Sequence, residues 1–297
     1  MEARKKNYIK PDNFGCEFKN RAFTVIYGQT TKDFQKLVTL EQFTEMATSF
    51  NSGVECYQLE SRTSLTDYVT QYLWLDDRRE KEIRVSFDAN DTILSLFLGM
   101  FVSYPESDRN YTKNTYTMPI KDEWIVVWGG INEFLNYHYV HESQRYAYDL
   151  VMIKEGQFYK DSTNKNENYY AFNRDIVAPA DGKVMKVLEG IEDNVPGEMN
   201  PSQPEGNCVI IEHENNEYSL LAHLKQNSIV VNVGQVVKQG QLIGLCGNSG
   251  NSSEPHLHFQ VMNTSDYLNG QSIRIRFSND LEPIQGDLVS PTKIASS

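Results

Sequence analysis

From Trp124 onward this sequence never holds an apolar pattern for more than a strand's length before a turn cluster breaks it. The apolar runs fall at 124–128, 147–153, 182–188, 208–212, 218–224, 241–246 and 257–261. The separators, such as Glu214-Asn215-Asn216 and Gly247-Asn248-Ser249-Gly250-Asn251, are residues that tolerate positive φ or hydrogen-bond their own backbone. Short runs with frequent turns predict a mainly antiparallel β domain, a sheet or a sandwich. Two longer stretches, 156–169 and the three-proline segment 190–206, are expected as surface loops.

The first third reads differently. Over 31–51, Leu40, Phe43, Met46, Ala47 and Phe50 recur at helical spacing. Thr39 followed by Gln42 has the form of a capping box, and Asn51-Ser52-Gly53 ends the helix. Runs rich in aromatic and β-branched residues follow at 54–59, 68–75, 83–87 and 92–102, with Asp88-Ala89-Asn90-Asp91 as a hairpin turn. Helices followed by a meander predict a small α+β domain. The expected organisation is an α+β domain over 1–103, a polar linker over 104–122 and a β-rich domain over 123–297.

Charge narrows the choice of partners. Residues 1–115 hold 15 Lys and Arg against 17 Asp and Glu, and residues 116–297 hold 13 against 23. The acidity of the second part disfavours nucleic acid and anionic membrane surfaces. No apolar run approaches the roughly 20 residues of a membrane span. The charged start, Met1-Glu2-Ala3-Arg4-Lys5-Lys6, is followed by no apolar segment, so no secretory signal is visible. Residence in the cytoplasm, trimming, or another export route all fit that start. Cys16, Cys56, Cys208 and Cys246 form no Cys-x-x-Cys pair, which excludes a cysteine zinc site. One disulfide among them is open to the sequence, and four isolated buried thiols is the plainer expectation.

All six histidines lie between positions 138 and 258. In a strand, residues two apart point to one face. His256-Leu257-His258, entering the apolar run Phe259-Gln260-Val261, therefore sets two imidazoles side by side. Asp149 lies inside Ala147-Tyr148-Asp149-Leu150-Val151, where a carboxylate is costly unless it is paired, binds metal, or faces water from an edge. His223 ends Ser219-Leu220-Leu221-Ala222, a place where a histidine with no function is also common. Two histidines and one carboxylate satisfy a catalytic zinc site, which keeps one position open.

With these residues in hand, the chain resembles the M23 metallopeptidases, the LytM/lysostaphin-like peptidoglycan endopeptidases. That family carries a His…Asp pair, a later isolated histidine and a terminal His-x-His. Val177-Ala178-Pro179-Ala180-Asp181-Gly182-Lys183-Val184 is similar to its strand-turn-strand, and Gly244-Leu245-Cys246-Gly247-Asn248-Ser249-Gly250 to its glycine-rich loop. The resemblance covers 124–261. It implies zinc held by His138, Asp149 and His258, with His223 and His256 beside the reacting water, and a peptide of peptidoglycan as substrate. One feature departs from the pattern. The usual three-residue gap between the first His and the Asp is replaced by ten residues from His138, or seven from His141. Asn136-Tyr137-His138 and Gln144-Arg145-Tyr146-Ala147-Tyr148-Asp149 match an expanded form of the pair and favour His138. His213 matches nothing in the family and is expected to be solvated. The pattern of 32–98 resembles the NTF2-like (DUF3887-type) domains that precede some of these peptidases. It holds no histidine, which points to a binding, folding-assistance or dimerisation role.

Two other readings compete. An M23-like fold can serve as a non-enzymatic scaffold or regulator of wall hydrolysis, and the long first gap keeps that reading open. The glycine turns at 180–184 and 233–242 resemble biotinyl or lipoyl carriers, but no lysine sits at a hairpin tip with a recognition motif.

Overall fold

The computed structural model describes residues 8–66, 68–278, 281–291 and 294–295. The chain divides into two units, one ending at Val102 and the other beginning at Ser103.

In the N-terminal unit, helices α1 (Phe14–Lys19), α2 (Phe23–Gln29), α3 (Lys32–Leu37) and α4 (Leu40–Phe50) precede an antiparallel meander. Its strands are β1 (Tyr57–Thr66), β2 (Val69–Asp76), β3 (Lys81–Asp88) and β4 (Ile93–Met100), paired in sequence order. The single helix expected over 31–51 is two helices. Thr31 caps α3, and Thr39 with Gln42 closes a capping box on α4, so each start satisfies its own free N–H groups. Alternation sends Tyr72 and Trp74 of β2 and Ile83, Val85 and Phe87 of β3 to one face, where they meet Phe14, Phe18, Ile26 and Phe43 from the helices. Each such buried side chain contributes about 1.5–3 kcal/mol. α1 approaches the sheet so closely that a Cβ on Gly15 would overlap the Trp74 indole. At the β3–β4 turn, Asp88 Oδ1 accepts from the N–H groups of Asn90 and Thr92, as the hairpin signal requires.

The second unit is built on one nine-stranded sheet and a two-stranded one. Its strands are β5 (Trp124–Trp128), β6 (Tyr148–Val151), β7 (Asp175–Val177), β8 (Gly182–Leu188), β9 (Asn207–His213), β10 (Glu217–Leu224), β11 (Val236–Val237), β12 (Leu242–Leu245), β13 (Leu257–Met262), β14 (Leu288–Val289) and β15 (Ile294–Ala295). The large sheet runs β11-β8-β9-β10-β13-β6-β5-β14-β15, and β12 pairs with β7. All strand pairs are antiparallel. Alternation divides the large sheet cleanly. Leu150, Val209, Ile211, Leu221, Leu257, Phe259 and Val261 face the core, against Ile176, Val237 and Ile243. The intervening residues Asp149, Leu220, Ala222, His258 and Gln260 take the opposite face. A slip of one residue in β13 would bury both histidines in the core and expose Phe259.

Residues 104–122, expected as a linker, belong to this unit. Tyr116, Met118 and Ile120, spaced by two, are buried in its core. The Tyr116 hydroxyl donates to Glu217, and the Glu217 carboxylate also accepts from Lys113 N and Asn114 N. The polar residues around them hid this apolar alternation. Two further expectations fail. Cys16 and Cys56 are exposed, and only Cys208 and Cys246 are buried; all four are free thiols. His213 is buried rather than solvated: Nδ1 donates to Asp181 O and Nε2 lies 2.8 Å from Ser219 Oγ.

Candidate metal centre

His258 and Asp149 face each other across the β13–β6 pair, and Ala222 of β10 sits opposite His258 on the other side. The sheet face thus places one carboxylate and one imidazole at adjacent strand positions, with Oδ1 of Asp149 2.9 Å from Nδ1 of His258. His138 enters from a 3-10 turn, Tyr137–Val140. Its Nε2 is 3.1 Å from Asp149 Oδ2. The three donor atoms lie within 4.8 Å of one another, and all three residues are buried. His141 is exposed and lies outside this group.

Buried Asn136 holds the turn. Its Oδ1 accepts from His138 N, and its Nδ2 donates to Ala147 O at 3.0 Å and Arg145 O at 3.2 Å. One amide side chain thereby ties the approach to His138 to the approach to Asp149. His223 is presented by an irregularity: β10 loses register with β9 after Leu221, and His223 adopts φ 60°. A non-glycine residue in that region costs about 1–3 kcal/mol and persists only when its surroundings hold it. Here His223 N donates to Glu205 O, and Nδ1 donates to Ser249 O at 2.8 Å. Ser249 itself is fixed, since its hydroxyl donates to Leu224 O and accepts from Asn207 N. Gly206 and Gly250 lie against each other beside it, at φ 60° and 81°, and a Cβ on either would overlap backbone. His256 completes the cluster. Its Nε2 is 3.8 Å from Asp149 Oδ1, and its ring is 4.7 Å from that of His223.

Carbonyl oxygens can only accept, so these contacts fix where the ring protons sit. Ser249 O takes the Nδ1 proton of His223, and Glu254 O that of His256, so in the neutral form of each ring Nε2 is the basic nitrogen. Gln260 Nε2 donates to Ser143 O, so its Oε1 faces His258 and accepts from Nε2 at 2.9 Å. His258 Nδ1 therefore faces the Asp149 carboxylate with either a second proton or a cation between them.

The electrostatics agree. Burial alone would raise the Asp149 pKa, but His138, His256 and His258 outweigh it and hold the carboxyl well below its ordinary range. Burial pushes His223 well down, so this ring is neutral at physiological pH. Burial would also lower His258, but Asp149 more than offsets it. Burial does lower His138, whose Nδ1 has no hydrogen-bond partner among the described residues. The residues fit a divalent ion. Tetrahedral zinc at about 2.0–2.1 Å from N and O ligands sets its donors roughly 3.4 Å apart. The separations of 3.1 and 2.9 Å about Asp149 lie just inside that spacing. Tyr137, Gln144, Glu205 and Tyr267 wall a small cleft of about 60 Å³ over the histidines.

Residues 168–273 match the sequence model of peptidase family M23. The chain carries an M23 peptidase domain. The matched stretch includes His223, His256 and His258, while His138 and Asp149 precede it. Peptidoglycan DD-endopeptidase ShyA of Vibrio cholerae is 36% identical to this chain over 76 residues, which is 26% of this chain and 17% of that protein. Peptidoglycan DD-endopeptidase ShyB of the same organism is 44% identical over 57 residues, 19% of this chain and 13% of that protein. The chain thus spans less than a fifth of the length of these two relatives. Among solved structures, the lysostaphin catalytic domain from Staphylococcus simulans aligns over 58% of this chain and 95% of that one, at 21% identity and a TM-score of 0.29, too low to add to the fold argument. Two residues that hold the site were given no role of their own by sequence reasoning. Asn136 stands next to His138. Gln260 continues the spacing of His256 and His258, and that spacing alone marks it as facing the same site.

Proposed function

We propose that this protein is a zinc-dependent endopeptidase that hydrolyses peptide bonds in peptidoglycan. The observation that carries this reading is the meeting of His138, Asp149 and His258 on one buried sheet face, with the free Nε2 atoms of His223 and His256 beside them. The M23 domain and the relatives named as peptidoglycan DD-endopeptidases support the substrate class.

His138 Nε2, an oxygen of Asp149 and His258 Nδ1 would hold the ion. When bound, zinc supplies Lewis acidity and a water nucleophile at neutral pH. Asp149 brings one negative charge to the site, and Gln260 and Asn136 keep the donor atoms aimed. His256 Nε2, the basic nitrogen of the tautomer that Glu254 O selects, accepts a proton from the attacking water and returns it to the leaving amine. His223, whose ring burial keeps neutral and whose Nδ1 proton is fixed by Ser249 O, orients that water through Nε2 from the other side. The scaffold reading is not favoured, because it needs a missing ligand or base and this chain retains all five groups. For the N-terminal unit, whose described residues hold no histidine, we propose a binding rather than a catalytic role.

The test is digestion of purified peptidoglycan by zinc-loaded protein, with the released fragments read by mass spectrometry. New amino and carboxyl ends from the parent, lost in His256→Ala, support the proposal. Intact peptidoglycan after incubation with fully loaded parent would overturn the substrate assignment.

A further inference from the structure

Ten residues separate His138 from Asp149, so the local backbone alone cannot fix their spacing. Something else must brace the loop between them. On its cleft side, Ser143 O is held by Gln260, and Glu142 O accepts from Ser272 N. On its back side stands a short helix, α5 (Pro105–Asp108). Asp108 Oδ2 accepts from the hydroxyl of Tyr139 at 2.9 Å, and Oδ1 from the hydroxyl of Tyr146 at 2.8 Å. Tyr139 is fully buried and follows His138 directly; Tyr146 is buried three residues before Asp149. One carboxylate therefore grips both ends of the loop.

Its neighbours strengthen the grip. Tyr104 N donates to the Tyr139 hydroxyl oxygen at 3.0 Å. The guanidinium of buried Arg145 lies 3.5 Å over the Tyr104 ring, and its Nε donates to Tyr139 O. Arg274 Nη1 donates to the backbone carbonyl of Asp108, which anchors the main chain that carries the carboxylate. Two hydroxyls donating to one ionised carboxylate are charge-assisted bonds, stronger than neutral ones. None of these groups reaches the cleft, so substrate binding does not account for them.

We propose that Asp108 is a positioning residue for the metal centre: by holding Tyr139 and Tyr146 together, it sets the separation of His138 from Asp149. This rests on the zinc reading above. The segment that continues the chain from the N-terminal unit then becomes part of the support of the metal site, and anything that displaces it loosens the first ligand.

The experiment compares the full chain with Asp108→Ala and Tyr146→Phe. Zinc affinity is measured by competition with a chromophoric chelator, and Co2+ is substituted to record the d–d band. Loss of support around metal ligands typically weakens binding about 10–100-fold. We expect that loss in Asp108→Ala, a smaller loss in Tyr146→Phe, and a shifted Co2+ band in both. A purely structural role would lower the melting temperature of the metal-free variants and leave affinity and band unchanged; that result overturns the proposal. If Asp108→Ala does not fold, Tyr146→Phe, which keeps its ring packing, decides alone. A parent that takes up no metal would sink the metal centre itself, and the brace with it.

Discussion

Gln260→Met separates ligand orientation from ligand identity. Gln260 is fully buried, and it links His258 Nε2 to Ser143 O through two bonds of 2.9 Å. Methionine has nearly the same shape and neither bond. Ser143 is only partly buried, so water can replace the lost donor there. His258 Nε2–H has no such recourse, and a buried orphaned donor costs about 1–3 kcal/mol. For a unit of this size each kcal/mol lowers the melting temperature by about 2–4 °C, so a fall of roughly 2–12 °C is expected for the metal-free protein. Without Gln260, the His258 ring is also free to swap its protonated nitrogen. Zinc affinity should fall about 10–100-fold, the range for residues that orient metal ligands. Chelator competition at a temperature well below the transition reads the affinity, and thermal unfolding reads the stability. Unchanged zinc affinity alongside a lowered melting temperature would refute the orientation argument and leave Gln260 a packing residue.

Three other outcomes follow from the same geometry. His223→Ala and His256→Ala should each keep a full complement of zinc while kcat/KM falls about 10²–10⁴-fold, the contribution of a positioned acid–base group; elemental analysis beside steady-state rates checks both halves. Gly206→Ala places a methyl at φ 60° against Ser249, whose carbonyl fixes His223, so unfolding by denaturant should show at least about 1 kcal/mol of lost stability. Burial holds the pKa of His213 below its ordinary value, with only partial relief from Asp181 and Glu217. A depressed histidine stabilises the fold above its unfolded pKa of about 6.5, and that stabilisation is lost as pH falls through the lower folded value. His213→Gln should therefore flatten the decline of the melting temperature below pH 6.5 relative to the parent.

The fold was legible wherever local pattern and final environment coincide. The runs at 124–128 and 182–188 are strands over those same residues, and the His-x-His alternation faces the sheet side that carries Asp149. Legibility failed where a distant partner decides. Tyr116, Met118 and Ile120 alternate as a strand would, but they lie among residues whose polarity suggests a linker, and the Glu217 carboxylate that secures Tyr116 is about a hundred positions away. His213 reads as a strand-end surface residue because Ser219 and Asp181, its partners, become neighbours only once β8, β9 and β10 pair. β7, β11 and β14 have two or three residues each, too few to show a period. In the site, His256 and His258 announce themselves by spacing. The first histidine does not, because its ten-residue separation from Asp149 is closed by the bonds of Asn136 to Ala147 and of Asp108 to Tyr139 and Tyr146, which spacing does not record.

The metal centre is tested by zinc stoichiometry from elemental analysis on the parent, His138→Ala, His141→Ala, Asp149→Ala and His258→Ala. One zinc per chain is expected in the parent and in His141→Ala, and its loss in the other three. A parent that holds no zinc after reconstitution, or one that keeps it without His138 and loses it without His141, would contradict the site described above.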